Sequence, residues 1–166
     1  METIRMKNPS EALSAFFAKT EWPFDVDDSR RCFRSHFSGQ FGRWPFVAIV
    51  AEDSSGILVL SLLPAIAPVG RRDACLDLLN RANYQLSDGC FEMDPDRGQV
   101  RFRTSLLVPE EGVSLEAVEL LIGVNLQTAD HNFAAIMRVV YASQAPREAL
   151  EFSSDDAPPR PRFELN

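Results

Sequence analysis

The run Asp94-Pro95-Asp96-Arg97-Gly98 constrains this chain more than any other feature. Pro95 presets its own φ, the two aspartates can bond neighbouring backbone amides, and Gly98 accepts a positive φ. Short β-prone runs flank it, Gly89 to Met93 and Val100 to Val108, so the pattern predicts a hairpin with a five-residue connection. Alternation then assigns the faces. Phe91, Met93, Val100, Phe102, Thr104 and Leu106 share a buried face, while Cys90, Glu92, Arg101, Arg103 and Ser105 share the other. Glu92 is placed to form a cross-strand ion pair with Arg101 or Arg103, a weak contribution of about 0.2–1 kcal/mol.

The hairpin sits between two helices. The first of its neighbours is expected from Arg71 to Tyr84, with Ala74, Cys75, Leu78, Leu79 and Ala82 as its buried stripe. The second starts at the capping hydroxyl of Ser114 and is expected to run to Tyr141. Val113 and Val118 are spaced for a hydrophobic staple, and Glu116 suits the positive end of the helix dipole. Val118, Ile122, Asn125, Ala129, Phe133, Ile136 and Val140 follow a period near 3.6, and a kink is allowed for near Gln127 to Asp130. Such a helix would be about 42 Å long at ~1.5 Å per residue.

Upstream, Asn8-Pro9 followed by Glu11 announces another helix, with Ala12, Leu13, Phe16 and Phe17 on one face and Trp22-Pro23 as its stop. Three strands are expected after it: Cys32 to Ser38, Phe46 to Glu52 and Ile57 to Leu63. Asp53-Ser54-Ser55-Gly56 turns between the last two, and Pro64 and Pro68 break the chain after the third. The expectation is an α+β fold of order α-β-β-β-α-β-β-α, an antiparallel five-stranded sheet with three helices. Residues 1–145 would form the single domain. After Ala145 the composition turns to Ser153-Ser154-Asp155-Asp156 and Pro158-Pro159-Arg160-Pro161-Arg162, which predicts a flexible or extended tail over residues 146–166. Its loss is expected to change stability little.

The central strands carry the positive functional signal. Ile57, Val59 and Leu63 lie on one face of their strand and Leu58, Leu60 and Leu62 on the other; Phe46 to Ala51 is likewise apolar on both faces. A sheet with one wet face should alternate. Either helices cover both sides, or a second subunit or a client protein completes one of them. Leu58, Leu60 and Leu62 are the candidate partner-binding residues.

The stretch N-R-A-N ending the second helix, then D-G-C-F-E-M-D-P-D-R-G-Q-V-R-F-R-T-S-L and S-L-E-A, resembles the YbjN family, bacterial proteins labelled sensory transduction regulators. The resemblance is carried by Leu76 to Val118 and extends by element order to about Asn8 through Tyr141. It implies a fold similar to type III secretion chaperones, commonly dimeric, and it carries over no catalytic residue.

Chemistry is otherwise sparse. His36 and His131 are the only histidines, with no ligand partner at helical spacing, so no metal or cofactor is expected. Gly39-Gln40-Phe41-Gly42 is a loop rather than a phosphate cradle, and Asp25, Asp27 and Asp28 lack the later glycine and glutamate of a calcium loop. Asn80 and Asn83 are expected to bond the loop after their helix. A formal charge of −7 opposes binding to nucleic acid and would suit a basic partner. Cys32, Cys75 and Cys90 form no C-x-x-C motif and are expected as reduced thiols of a cytoplasmic protein. No signal peptide or membrane-spanning run is expected, because the N-terminal residues lack a long apolar stretch and the apolar run from Ile57 to Val69 is short and broken by proline. The function expected is non-enzymatic: a chaperone-like or regulatory homodimer that holds an unidentified protein client through apolar surface. The alternatives are a small-ligand binder or enzyme whose site assembles only on folding, and a fixed structural subunit of a larger assembly.

Overall fold

The computed structural model describes residues 5–155. The elements are β1 (Arg5–Met6), α1 (Pro9–Thr20), β2 (Phe24–Val26), β3 (Cys32–Ser38), β4 (Arg43–Val50), β5 (Gly56–Ile66), α2 (Arg72–Tyr84), β6 (Cys90–Met93), β7 (Gln99–Leu107), β8 (Val113–Ser114), α3 (Leu115–Tyr141) and α4 (Pro146–Asp155), with one 3-10 turn before α2. Six strands form one sheet in the order β2-β3-β4-β5-β7-β6, every neighbouring pair antiparallel, and β1 pairs with β8 apart from it.

The α+β class stands, and the counts change. The sheet gains β2, which precedes the first of the expected strands. A three-residue strand is too short to show a period, and Asp25 at its centre hides it further. The Asp27 carboxylate then closes the β2–β3 turn, accepting from the backbone amides of Arg31 at 2.9 Å and Cys32 at 3.1 Å. The bond from Cys32, with those from Ser29 and Arg31, holds its pKa below the usual carboxylate range. Strand β5 does not stop at Pro64. A register shift between Leu62 and Ile66 lets it continue, because an irregularity tolerates the missing proline donor.

Caps set the helix ends. The Asn8 side chain accepts from the Ser10 amide at 3.0 Å, one residue earlier than a capping box would use, and Pro9 occupies the first helical position. Ser114 accepts from the Ala117 amide at 3.2 Å, and Val113 and Val118 are both buried in one cluster, as the staple requires. Helix α3 runs unbroken for 27 residues. The Arg71 guanidinium caps its far end, donating to the Val139 carbonyl at 2.7 and 3.0 Å and to Gln144 at 3.2 Å. The hairpin turn forms as its sequence requires. Asp94 Oδ1 accepts from the amides of Asp96 and Arg97, and Gly98 sits at φ +75°. Arg72 clamps that turn to the start of α2 through the Pro95 and Asp96 carbonyls, both at 2.9 Å.

The fourth helix corrects the extended-tail expectation. Helix α4 occupies residues 146–155, and Ala149 and Leu150 pack into the cluster beneath α2 and α3. Its polar sequence conceals this, since two apolar side chains make the contact. Residues 156–166, including Pro158 to Arg162, lie outside the described residues. A chain ending at Ala145 is therefore expected to lose about 2 kcal/mol of burial and to melt roughly 4–8 °C lower. Differential scanning calorimetry checks this, and an unchanged Tm would mean that α4 adds nothing to the domain.

Two apolar clusters lie under the helices. One gathers Leu13 and Phe17 of α1, Phe33, Phe46, Val59 and Ile122. The other gathers Leu63, Leu78, Phe91, Val100, Phe102 and Ile136. A buried polar network joins the sheet to α3. Trp44 Nε1 donates to Ser61 Oγ at 3.0 Å, Ser61 Oγ donates to Asn125 Oδ1 at 2.6 Å, and Asn125 Nδ2 reaches the Val59 and Phe102 carbonyls and Thr104 Oγ1 at 3.1–3.3 Å.

Candidate functional site: the helix-free face of the sheet

The six-stranded sheet has one covered face. Register places the strand residues of the two clusters on one face of the sheet: Phe33, Phe46, Ala48, Ile57, Val59, Leu63, Phe91, Val100 and Phe102. The buried residues of α1, α2, α3 and α4 pack into those same clusters. All four described helices therefore stack on one side of the sheet, and among the described residues no helix answers the apolar side chains on the other.

The other face carries Leu58, Leu60 and Leu62, which belong to neither cluster. Register places them side by side with further apolar groups. Ile49 pairs with Leu58 and Cys32, and Val47 pairs with Leu60 and Arg34. Val47, Ile49, Leu58 and Leu62 are half-buried, and Leu60, between Val47 and Arg103, keeps 8% of its surface. Leu107, opposite Gly56, is 84% exposed at the end of the stripe.

Arginines rim this stripe. Arg34 and Arg43 lie on one side of it, and Arg101 and Arg103 on the other, beside Leu62 and Leu60. Glu92 bridges both of the latter, at 2.7 Å to Arg101 and 2.9 Å to Arg103, which realises both cross-strand pairings the sequence allowed. Arg43 donates to Ser38 Oγ at 2.8 Å. The strand residues of this face thus set four arginines against two carboxylates, Asp25 and Glu92, in a chain whose formal charge is −7. The alternation of β7 makes Arg101 and Arg103 legible in the sequence, but not that Arg34, beside Val47, and Arg43 come to the same face.

Asn83 bonds the backbone after α2 as its position suggested. Its Nδ2 donates to the Phe91 carbonyl at 3.0 Å and its Oδ1 accepts from the Phe91 amide at 2.7 Å. The amide stands in for a neighbouring strand and closes the β6 edge there. Asn80 is exposed in an open groove of about 470 Å³ between α2 and α4. The charges of that groove pair among themselves, Asp77 with Arg81 at 3.0 Å and Arg147 with Glu151 at 3.2 Å.

The Gly39–Gly42 loop holds a carboxylate from its own chain. Asp130 of α3 accepts from the amides of Gln40 at 2.8 Å and Phe41 at 3.0 Å. His36 is exposed on the helix-free face opposite Pro45, and His131 lies on α3. Cys32 and Cys90 are half-buried on the helix-free face, whereas burial pushes the Cys75 thiol up to about 11. Among the described residues, no group of three or more His, Cys, Asp or Glu side chains gathers as a metal site would need, and no helix is long and apolar enough to cross a membrane.

Comparison with known proteins bears on the family and the fold. The family model for YbjN, described as "Putative bacterial sensory transduction regulator", matches residues 9–138. The crystal structure of YbjN from E. coli, described as "a putative transcription regulator", shares the fold at a TM-score of 0.57 and 14% identity, over 84% of this chain and 95% of that one. A chain of the ExsC-ExsE complex superposes with a TM-score of 0.51 at 14% identity, over 76% of this chain and 92% of that one. A chain of the heterodimeric ExoU-SpcU complex, from the type III secretion system of Pseudomonas aeruginosa, gives 0.52 at 12% identity, over 77% and 97%. At these identities the likeness is one of fold. No curated protein matches the sequence.

Proposed function

Because the chain belongs to the YbjN family, we propose that it is a non-enzymatic protein-binding module, chaperone-like or regulatory, that holds a segment of a partner protein on the helix-free face of its sheet. The observation that carries this reading is the stripe of Leu58, Leu60 and Leu62 with Val47 and Ile49, which no described helix covers. Contiguous apolar surface of this kind marks interaction sites in soluble proteins. The ExsC-ExsE and ExoU-SpcU structures, which share the fold, are each complexes of two proteins. The protein acts as a homodimer in the cytoplasm. Its free thiols suit a reducing compartment, and the exposed Val69, Leu76 and Tyr84 near and along α2 supply apolar area for self-association. The buried stripe of α2 is used up in the chain's own core, so it is not the dimer contact.

Leu62→Asp separates binding from folding. Leu62 lies outside both clusters and beside Arg101, so the new carboxylate has a cation near it. The variant is expected to melt within a few degrees of the parent and to lose most of its enhancement of an apolar fluorescent dye. Retained dye binding with an unchanged Tm would move the apolar site elsewhere. Light scattering at micromolar concentration is expected to give twice the chain mass of 18.6 kDa; a monomer would remove the dimer and leave the binding face untouched.

A further inference from the structure

The charge of the helix-free face specifies its occupant more narrowly, and this rests on the binding reading above. We infer that the face takes an acidic, apolar-rich peptide segment. The overall charge of −7 points to a basic partner, but the folded distribution reverses that at the site. Four arginines, Arg34, Arg43, Arg101 and Arg103, surround the leucine stripe, and the strand residues there hold two carboxylates in return. One of these, Glu92, is shared between Arg101 and Arg103, so each of them keeps donors in excess of its acceptor. A segment that lays apolar side chains on Leu58, Leu60 and Leu62 brings its own polar groups to this rim. Carboxylates there meet guanidinium donors, whereas lysines meet like charge.

The same distribution disfavours a second copy seated through this face. A two-fold contact places identical patches together, and here both would be net positive. Nucleic acid would meet the arginines but leave the leucine stripe without apolar contact, and the rest of the chain is acidic.

The test uses the full-length protein and two fluorescein-labelled synthetic peptides. Both carry the same leucines and valines; one places glutamates between them and the other lysines. Anisotropy titrations at low salt are expected to show the glutamate peptide binding about tenfold more tightly, a difference of about 1.4 kcal/mol. That preference should shrink at high salt, where the screening length falls to a few ångströms. It should fall to about threefold or less in an Arg34→Gln/Arg101→Gln/Arg103→Gln variant that keeps the parent Tm. Equal binding of the two peptides, preference for the lysine peptide, a preference unmoved by the triple substitution, or binding of neither peptide would overturn the inference. Leu62→Asp separates the two levels. If both peptides bind equally and both are lost in Leu62→Asp, the site reading stands and the charge inference alone fails. If peptide binding ignores Leu62→Asp, the site reading falls as well.

Discussion

Phe102→Asp is expected to leave no cooperatively folded protein at 25 °C. Phe102 is fully buried on the helix side of β7, directly opposite Phe91, with ring centroids 4.5 Å apart. Removing a buried aromatic side chain costs about 3–5 kcal/mol. Placing an unpaired carboxylate in the same space adds several more. A domain of this size holds about 5–15 kcal/mol in all. Far-ultraviolet circular dichroism and a melting curve check the result. A soluble variant with a cooperative transition would mean that β7 faces the opposite way.

Asn125→Ala should give the second-largest loss, about 2–4 kcal/mol, without unfolding the chain. Asn125 is completely buried in the middle of α3. Its amide holds the Val59 and Phe102 carbonyls and the Thr104 hydroxyl, and its oxygen accepts from Ser61, which itself accepts from Trp44. Truncation strands several of these groups away from water, and each unsatisfied group costs about 1–3 kcal/mol. It also opens a cavity at the junction of the two clusters. Urea unfolding should show a lower midpoint at an unchanged slope. A loss below about 1 kcal/mol would mean that neighbouring groups or water replace the amide, and that the network does not anchor α3.

These residues also show how far the sequence is legible. Phe102 could be placed on the buried face because β7 alternates strictly, and the bounds of Cys32–Ser38 were readable for the same reason. Asn125 was visible as a polar position on an apolar stripe. Its meaning was not, because Ser61 and Thr104 lie 64 and 21 residues away along the chain. The helix α4 and strand β2 escaped for a different reason. One is short and mostly polar and the other is three residues long, and each is stabilised by what it packs or pairs with. The leucines of β5 announced two apolar faces, but only sheet order and helix placement decide which is covered. The arginine rim depends on the same information, since its members come from β3, β4 and β7.

A protein held on the helix-free face should be captured with the chain and lost when that face is altered. Affinity capture from the native host, with quantitative mass spectrometry, compares three baits: the parent chain, Leu62→Asp and Leu120→Ala. Leu120 is 59% exposed on α3, away from the leucine stripe. At least one protein is expected to be enriched by the parent and by Leu120→Ala, and depleted about tenfold or more, equivalent to about 1.4 kcal/mol, with Leu62→Asp at an unchanged Tm. A capture profile that is the same for the parent and Leu62→Asp would contradict binding at this face.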